Sequence, residues 1–309
     1  MHWFFIVLLV ILALALTALL TEYGIFLSLL GRPKRSTRVP KFYEDSPHYK
    51  VSRAGMALMK TLPCEDKYRT SPDGLKLHAY FFPTEEKPKK FVLGIHGYKS
   101  YARPEFGPYI QWYQSLGYSL LLPDDRAHAP SEGKYIGFGV LDRLDCVDWA
   151  NWIVENYGSD VEILIHGVSM GGATVLAASA EDALPGQVMG IVSDCGYTAA
   201  WEILTCQLRD TFHIPPVLVL PAAEKFCKAL AGYDFHSFTP IEQVKKAKVP
   251  ILFVHGTEDK MVPYFMVDKL YEVCASRKAK FVVEGAGHAE SIALDPEGYH
   301  RAVRDFFHI

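Results

Sequence analysis

The stretch Ile165-His166-Gly167-Val168-Ser169-Met170-Gly171-Gly172, IHGVSMGG, closes the compact apolar run VEILIHG and opens the small-residue run from Met170 to Ala180. A short apolar run ending at glycine reads as a buried strand, and the segment behind it reads as a helix. Two readings of the junction follow. The glycines can simply let a helix approach a strand, or they can allow a turn sharp enough to raise a serine at its tip. A raised serine needs small residues two positions before and two after it, and Gly167 and Gly171 meet that demand.

Outward from this junction, apolar runs and helical patterns alternate. KLHAYFFP, KFVLGIHG and YSLLLPD read as strands before it; VMGIVSD, PILFVHG and KFVVEG read as strands after it. Helices are expected over Pro104 to Leu116, over Tyr264 to Val273, and at the end of the chain, where Tyr299, Val303 and Phe307 step by four. Val140, Leu144, Val147, Ala150 and Val154 predict an apolar stripe on another helix. Near-continuous apolar strands separated by helices mean a mostly parallel, doubly wound α/β sheet covered on both faces. Ligands of such sheets gather at the carboxyl ends of the strands. Residues 196–246 interrupt the alternation with an aromatic, leucine-rich stretch broken at Pro215-Pro216, which predicts a small helical insertion, either a cap over the site or a packing layer.

The loops after the later strands carry the residues that could complete a serine site. A serine hydroxyl is a poor nucleophile until a histidine can take its proton, and that imidazole needs a carboxylate to fix its tautomer. Asp259 follows PILFVHG, and His288 follows KFVVEG, so Ser169, Asp259 and His288 stand in the chain order expected for a raised serine on this fold. Glu258 and Asp194 are rival acids and His128 is a rival base. His96, His166 and His255 each end a strand ahead of glycine and read as satisfied buried groups. An oxyanion needs two donors. The backbone N–H of Met170, next after the serine, is one candidate, and Tyr98, in the loop of GIHGYKSYAR, is the other.

Six segments taken together, HGYKS, DDRAHAPSEG, GVSMGG, SDCGY, HGTEDKMVP and GAGH, resemble the α/β-hydrolases, of the group similar to serine aminopeptidase-like and lysophospholipase-like hydrolases. The resemblance covers about residues 71–308 and implies Ser169 as nucleophile, Asp259 as acid, His288 as base, and Tyr98 and Met170 as backbone oxyanion donors. It departs in one place: Ala127 and Ala129 stand where relatives often carry glycine, a difference that bears on loop shape.

The amino terminus lies outside that resemblance. From Trp3 to Thr21 nineteen residues carry no charge, and the run stays apolar beyond Glu22, enough to cross a hydrocarbon core. With no basic residue ahead of it and no A-x-A-like cleavage site behind it, the segment reads as an uncleaved anchor spanning residues 1–30. Arg32, Lys34, Arg35, Arg38 and Lys41 follow it, which by the positive-inside bias favours a cytoplasmic body over an exported one. Residues 31–70 read as a membrane-proximal linker with one short helix around Ala54 to Lys60, and the hydrolase domain is expected over 71–309.

Half the residues are hydrophobic and the net charge is -3, which disfavours disorder and a nucleic-acid partner. The six cysteines show no CxxC pairing, so no zinc site is expected. The sequence therefore points first to a membrane-anchored serine hydrolase acting on a hydrophobic acyl substrate, with no cofactor and no metal. A serine peptidase for short peptides and a catalytically silent binding module are the rival readings.

Overall fold

The structure is a computed structural model that describes residues 2–33, 46–128 and 130–309. Lys34, Arg35, Arg38, Lys41 and Ala129 lie outside the described residues. Eight strands form one sheet: β1 (Glu65–Thr70), β2 (Lys76–Phe82), β3 (Lys90–Ile95), β4 (Ser119–Asp124), β5 (Glu162–Val168), β6 (Val188–Asp194), β7 (Ile251–Gly256) and β8 (Lys278–Val283). Their order is β1-β2-β4-β3-β5-β6-β7-β8. From β4 to β8 all neighbours are parallel, whereas β2 runs antiparallel to both β1 and β4. This is the α/β-hydrolase arrangement, and the strands β3 to β7 are buried along nearly their whole length, as a sheet covered on both faces requires.

One face is covered by α4 (Asp142–Tyr157) and α9 (Phe265–Val273), whose Trp149, Ile153 and Leu270 pack on Phe91, Ile163 and Ile251. The other is covered by α3 (Ala102–Ser115) and α10 (Pro296–Phe307), with Phe106, Tyr109 and Tyr299 against Val92, Leu164 and Leu252. α5 (Met170–Ala178) leaves the end of β5 and is buried throughout.

Three expectations need correction. The buried face of α4 is Cys146, Val147, Trp149, Ala150 and Ile153, while Leu144 is exposed and Val140 precedes the helix. Two overlapping three-and-four spacings run along this segment, and the one carrying Trp149 has the larger apolar area to bury. The expected linker over 31–70 is also structured from Ser46 onward. Its helix, α2 (Pro47–Met59), starts with Pro47 at the first helical position behind a Ser46 cap that accepts the Tyr49 N–H, and it packs on α3 where Gly55 meets Gly107. The sheet begins at Glu65 rather than after residue 70: EDKYRT carries no apolar alternation because this edge strand has solvent on both sides, and charge suits such an edge.

Between β6 and β7 the chain forms short helices, among them α6 (Ala200–Cys206), α7 (Leu220–Phe226) and α8 (Pro240–Val244). Ahead of everything stands α1 (His2–Leu30), 29 residues long. Trp3 to Thr21 are exposed, and then the helix changes partners: Phe26 and Leu30 are fully buried among residues of the β6–β7 insertion and of the loop after β4. Phe26 stacks near Phe226 and Tyr135, with ring centroids 5.8 and 5.2 Å away.

Candidate active site

Ser169 sits at the turn from β5 into α5 with φ 57° and ψ -116°, a left-handed backbone that side chains rarely adopt. The turn closes because glycines flank it. A Cβ on Gly167 would lie 2.2 Å from the Gly171 carbonyl oxygen, and one on Gly171 would lie 2.0 Å from that of Ile95. Both readings of IHGVSMGG thus hold at once: close packing of helix on strand is what forces the serine outward.

The two remote loops meet this serine. His288 Nε2 is 2.9 Å from Ser169 Oγ, and His288 Nδ1 is 2.8 Å from Asp259 Oδ2. The other oxygen of Asp259 accepts the N–H groups of Met261 and Val262, each at 2.8 Å, which fixes the carboxylate plane. Each of the three residues comes directly after a strand, β5, β7 and β8, so the sheet alone brings together positions 90 and 119 residues apart from Ser169. The rivals go elsewhere. Asp194 accepts the Tyr109 hydroxyl at 3.2 Å and burial pushes its carboxyl up to about 7. His128 is held neutral by burial, which brings its pKa down to about 3, and its Nε2 accepts the Lys99 N–H.

Electrostatics prepare the line. Burial opposes a charge on His288, but the Asp259 carboxylate beside it holds the imidazole well above the usual histidine range. Asp259 is likewise opposed by burial yet held below the ordinary carboxylate value by His288 and by its own hydrogen bonds. Cys195, also next to His288, is pushed up to about 12 by burial and so is uncharged at neutral pH. Asp259, His288 and Cys195 place ligand atoms within 4.8 Å of one another, the only such group among the described residues. Both imidazole nitrogens of His288 are engaged by Asp259 and Ser169, and the Cys195 thiol is neutral.

Met170 is the first residue of α5, so its N–H has no partner four residues back within the helix. Tyr98 lies across from it in the loop after β3. Its neighbours are tied down, Gly97 N–H by the buried Glu105 and Lys99 N–H by His128, while among the described residues no hydrogen bond joins the Tyr98 N–H to a protein acceptor. Ser169, His288, Tyr98 and Met170 all line one cavity of about 280 Å³, walled by Tyr197, Ile203 and Leu204 of the β6–β7 insertion. The sequence had not placed two further walls, Ser28 and Leu29 of α1. Nothing in the apolar run from Tyr23 to Leu30 marks them, because only the fold brings the last turn of α1 to the site.

The sequence profile of the prolyl oligopeptidase family matches residues 137–291, which hold Ser169, Asp259 and His288. The chain belongs to the prolyl oligopeptidase family. Among the relatives of this family member, the Bacillus subtilis protein YqkD is 28% identical over 64% of this chain and 65% of its own length. The Saccharomyces cerevisiae membrane protein YNL320W is 26% identical over 63% of this chain and 62% of its own. The chain therefore spans just under two thirds of the length of each. Solved structures agree on the fold: the Pyrococcus furiosus esterase Pf2001 superposes with a TM-score of 0.65 at 24% identity, covering 80% of this chain and 93% of the esterase. An acylaminoacyl peptidase superposes with a TM-score of 0.60 at 18% identity, over 82% of this chain and 43% of that one. Family and fold together make the chain an α/β-hydrolase.

Proposed function

We propose that the chain is a membrane-anchored serine hydrolase that cleaves a carboxylic ester, or a related acyl bond, through an acyl-enzyme on Ser169. The observation that carries this reading is the unbroken line Asp259–His288–Ser169, at 2.8 and 2.9 Å, opening into an apolar cavity. Ser169 Oγ attacks the acyl carbon as His288 Nε2 takes its proton; the N–H groups of Met170 and Tyr98 hold the oxyanion; and His288 returns the proton to the leaving alcohol as the C–O bond breaks. Water, deprotonated by the same imidazole, then splits the acyl-enzyme and frees Ser169. Asp259 stays ionised throughout and stabilises the imidazolium. The insertion over residues 196–246 acts as the cap.

Family membership favours one rival, a peptidase acting on short peptides. The ester reading leads because Tyr197, Ile203, Leu204 and Val262 wall the cavity that holds Ser169, and no carboxylate stands among its described lining residues to bind a peptide amino terminus. A fluorophosphonate probe is expected to label the wild type and to leave Ser169→Ala unlabelled; equal labelling of both ends the serine-hydrolase reading. Preferential turnover of aminoacyl amides over p-nitrophenyl esters would replace the esterase with the peptidase.

α1 is long and apolar enough to cross a bilayer, and we place the hydrolase body on the cytoplasmic side, since the basic residues follow the span. Cys64 is the exposed cysteine, the other five being buried, which makes it a natural reporter. An impermeant maleimide should label it only after cells are permeabilised; labelling on intact cells reverses the orientation.

A further inference from the structure

We propose that the foot of α1 and the cap segment from Phe212 to Leu218 form one membrane-seated entrance to the cavity, through which the substrate, an ester carrying a single long acyl chain, passes from the bilayer to Ser169. The proposal rests on the serine-hydrolase reading and adds to it the substrate class and its route.

The length of α1 is the first observation. At about 1.5 Å per residue its 29 residues reach about 43 Å, against roughly 30 Å of hydrocarbon. The exposed run from Trp3 to Leu20 accounts for about 27 Å, so the last turns lie beyond the hydrocarbon, where they dock on the enzyme. The docking is specific. Helix ends leave carbonyls without partners, and here the Tyr98 hydroxyl donates to the Leu29 carbonyl at 2.6 Å while the Lys99 ammonium donates to that of Ser28 at 2.6 Å. Arg32 then donates to the carbonyls of Ser131 and Gly133. Tyr98, the candidate oxyanion donor, is thus also the residue whose side chain clamps the foot of α1, so the cavity opens at the helix's last turns, about 12 Å past the end of the exposed run at Leu20.

The cap supplies the second observation. Phe212, Ile214, Val217 and Leu218 are 62, 41, 75 and 69% exposed. Four large apolar side chains within seven residues are costly to leave in water. Phe212 reaches into the cavity that Ser28 and Leu29 also wall, and α7, two residues after Leu218, packs through Phe226 on Tyr23 and Phe26 of α1. The apolar run therefore continues the surface of α1, and the occupant that fits both is the bilayer α1 already enters. Exposed Phe212 and Met261 edge the cavity mouth, while Tyr197, Ile203 and Leu204 line its depth. At about 280 Å³ the cavity lies just below the range of about 300 to 1,000 Å³ usual for ligand sites, which favours one acyl chain over two. Hydrolysis would leave a fatty acid free to return to the bilayer by the same path.

The full chain in phospholipid vesicles tests this. Val217 and Leu218 do not line the cavity, so Val217→Asp with Leu218→Asp should leave kcat/KM for soluble p-nitrophenyl butyrate within twofold of wild type. Turnover of a long-chain monoacyl ester embedded in the vesicles should fall at least tenfold. In a Cys64→Ser background, an environment-sensitive fluorophore on Val217→Cys should shift to the blue and be quenched by lipids carrying a shallow spin label. An unquenched fluorophore overturns the proposal even if esters are hydrolysed, as does self-association through this patch in place of quenching. Equal loss on soluble and embedded esters overturns the delivery route. A quenched fluorophore with no ester turnover and no fluorophosphonate labelling overturns the hydrolase reading and the substrate assignment with it, while leaving the membrane seat in place.

Discussion

Ser169 is held at φ 57°, a conformation that costs of order 1–3 kcal/mol and persists only where its surroundings over-determine it. Its surroundings do so through Gly167 and Gly171, and through the Ser169 N–H donating to the Asp194 carbonyl at 2.8 Å. Asp194, a rival acid by sequence, thus supports the turn through its backbone instead. At His288 two forces compete, burial lowering the pKa and the Asp259 charge raising it, and the charge wins. Cys195, beside the ring, acts in the same direction as Asp259. The consequence has a definite sign. His288 must be neutral to accept the serine proton, so kcat/KM should fall as pH drops through a value above the ordinary 6.5. Asp259→Asn removes the largest force that opposes burial, so this acid limb should move to lower pH while kcat drops by about 10⁴-fold. A pH–rate profile of the two proteins checks both; an unmoved acid limb means that another group sets it.

At the scale of elements, the β5–α5 junction is the least forgiving part of the fold. Gly171→Ala would put a methyl carbon 2.0 Å from a backbone oxygen of β3, and no flexible side chain is there to yield. The helix would have to lift from the sheet. Thermal unfolding should show a Tm lowered by at least roughly 5 °C, with labelling at Ser169 reduced in whatever remains folded; an unchanged Tm would mean the junction is looser than this geometry. The loop after β4 shows a milder case. Ala127 takes φ 63°, a region glycine occupies freely, and its N–H donates to the Glu132 carbonyl at 2.8 Å. Strands such as VEILIHG were legible because burial on both faces writes an apolar run. β1 was not, since an edge strand whose residues face solvent can be built from EDKYRT.

For the whole molecule, the last turns of the N-terminal helix are part of the folded body. A chain beginning at residue 21 keeps Phe26, Leu30 and the carbonyls that Tyr98 and Lys99 cap; one beginning at residue 33 loses them. Two fully buried large side chains contribute about 3–6 kcal/mol, so the shorter chain should melt roughly 10 °C lower. It should also self-associate, having uncovered Phe226 and Tyr135. Differential scanning calorimetry and size-exclusion chromatography of the two truncated chains make the comparison, and equal melting temperatures would show that the docked turns are not structural.

Local chemistry determined much of this protein from sequence. Strand burial, the small residues around Ser169, and the placing of Asp259 and His288 after strands are all consequences of short-range rules, and a parallel sheet then converts strand order into proximity. Tertiary structure decided what depends on contacts between distant segments with no periodic mark of their own: that Asp259 rather than Glu258 or Asp194 reaches the imidazole, that residues 46–70 belong to the folded body, and that Ser28 and Leu29 wall the cavity. An apolar helix end looks the same whether lipid or protein surrounds it, and only the packing of Phe26 and Leu30 distinguishes the two.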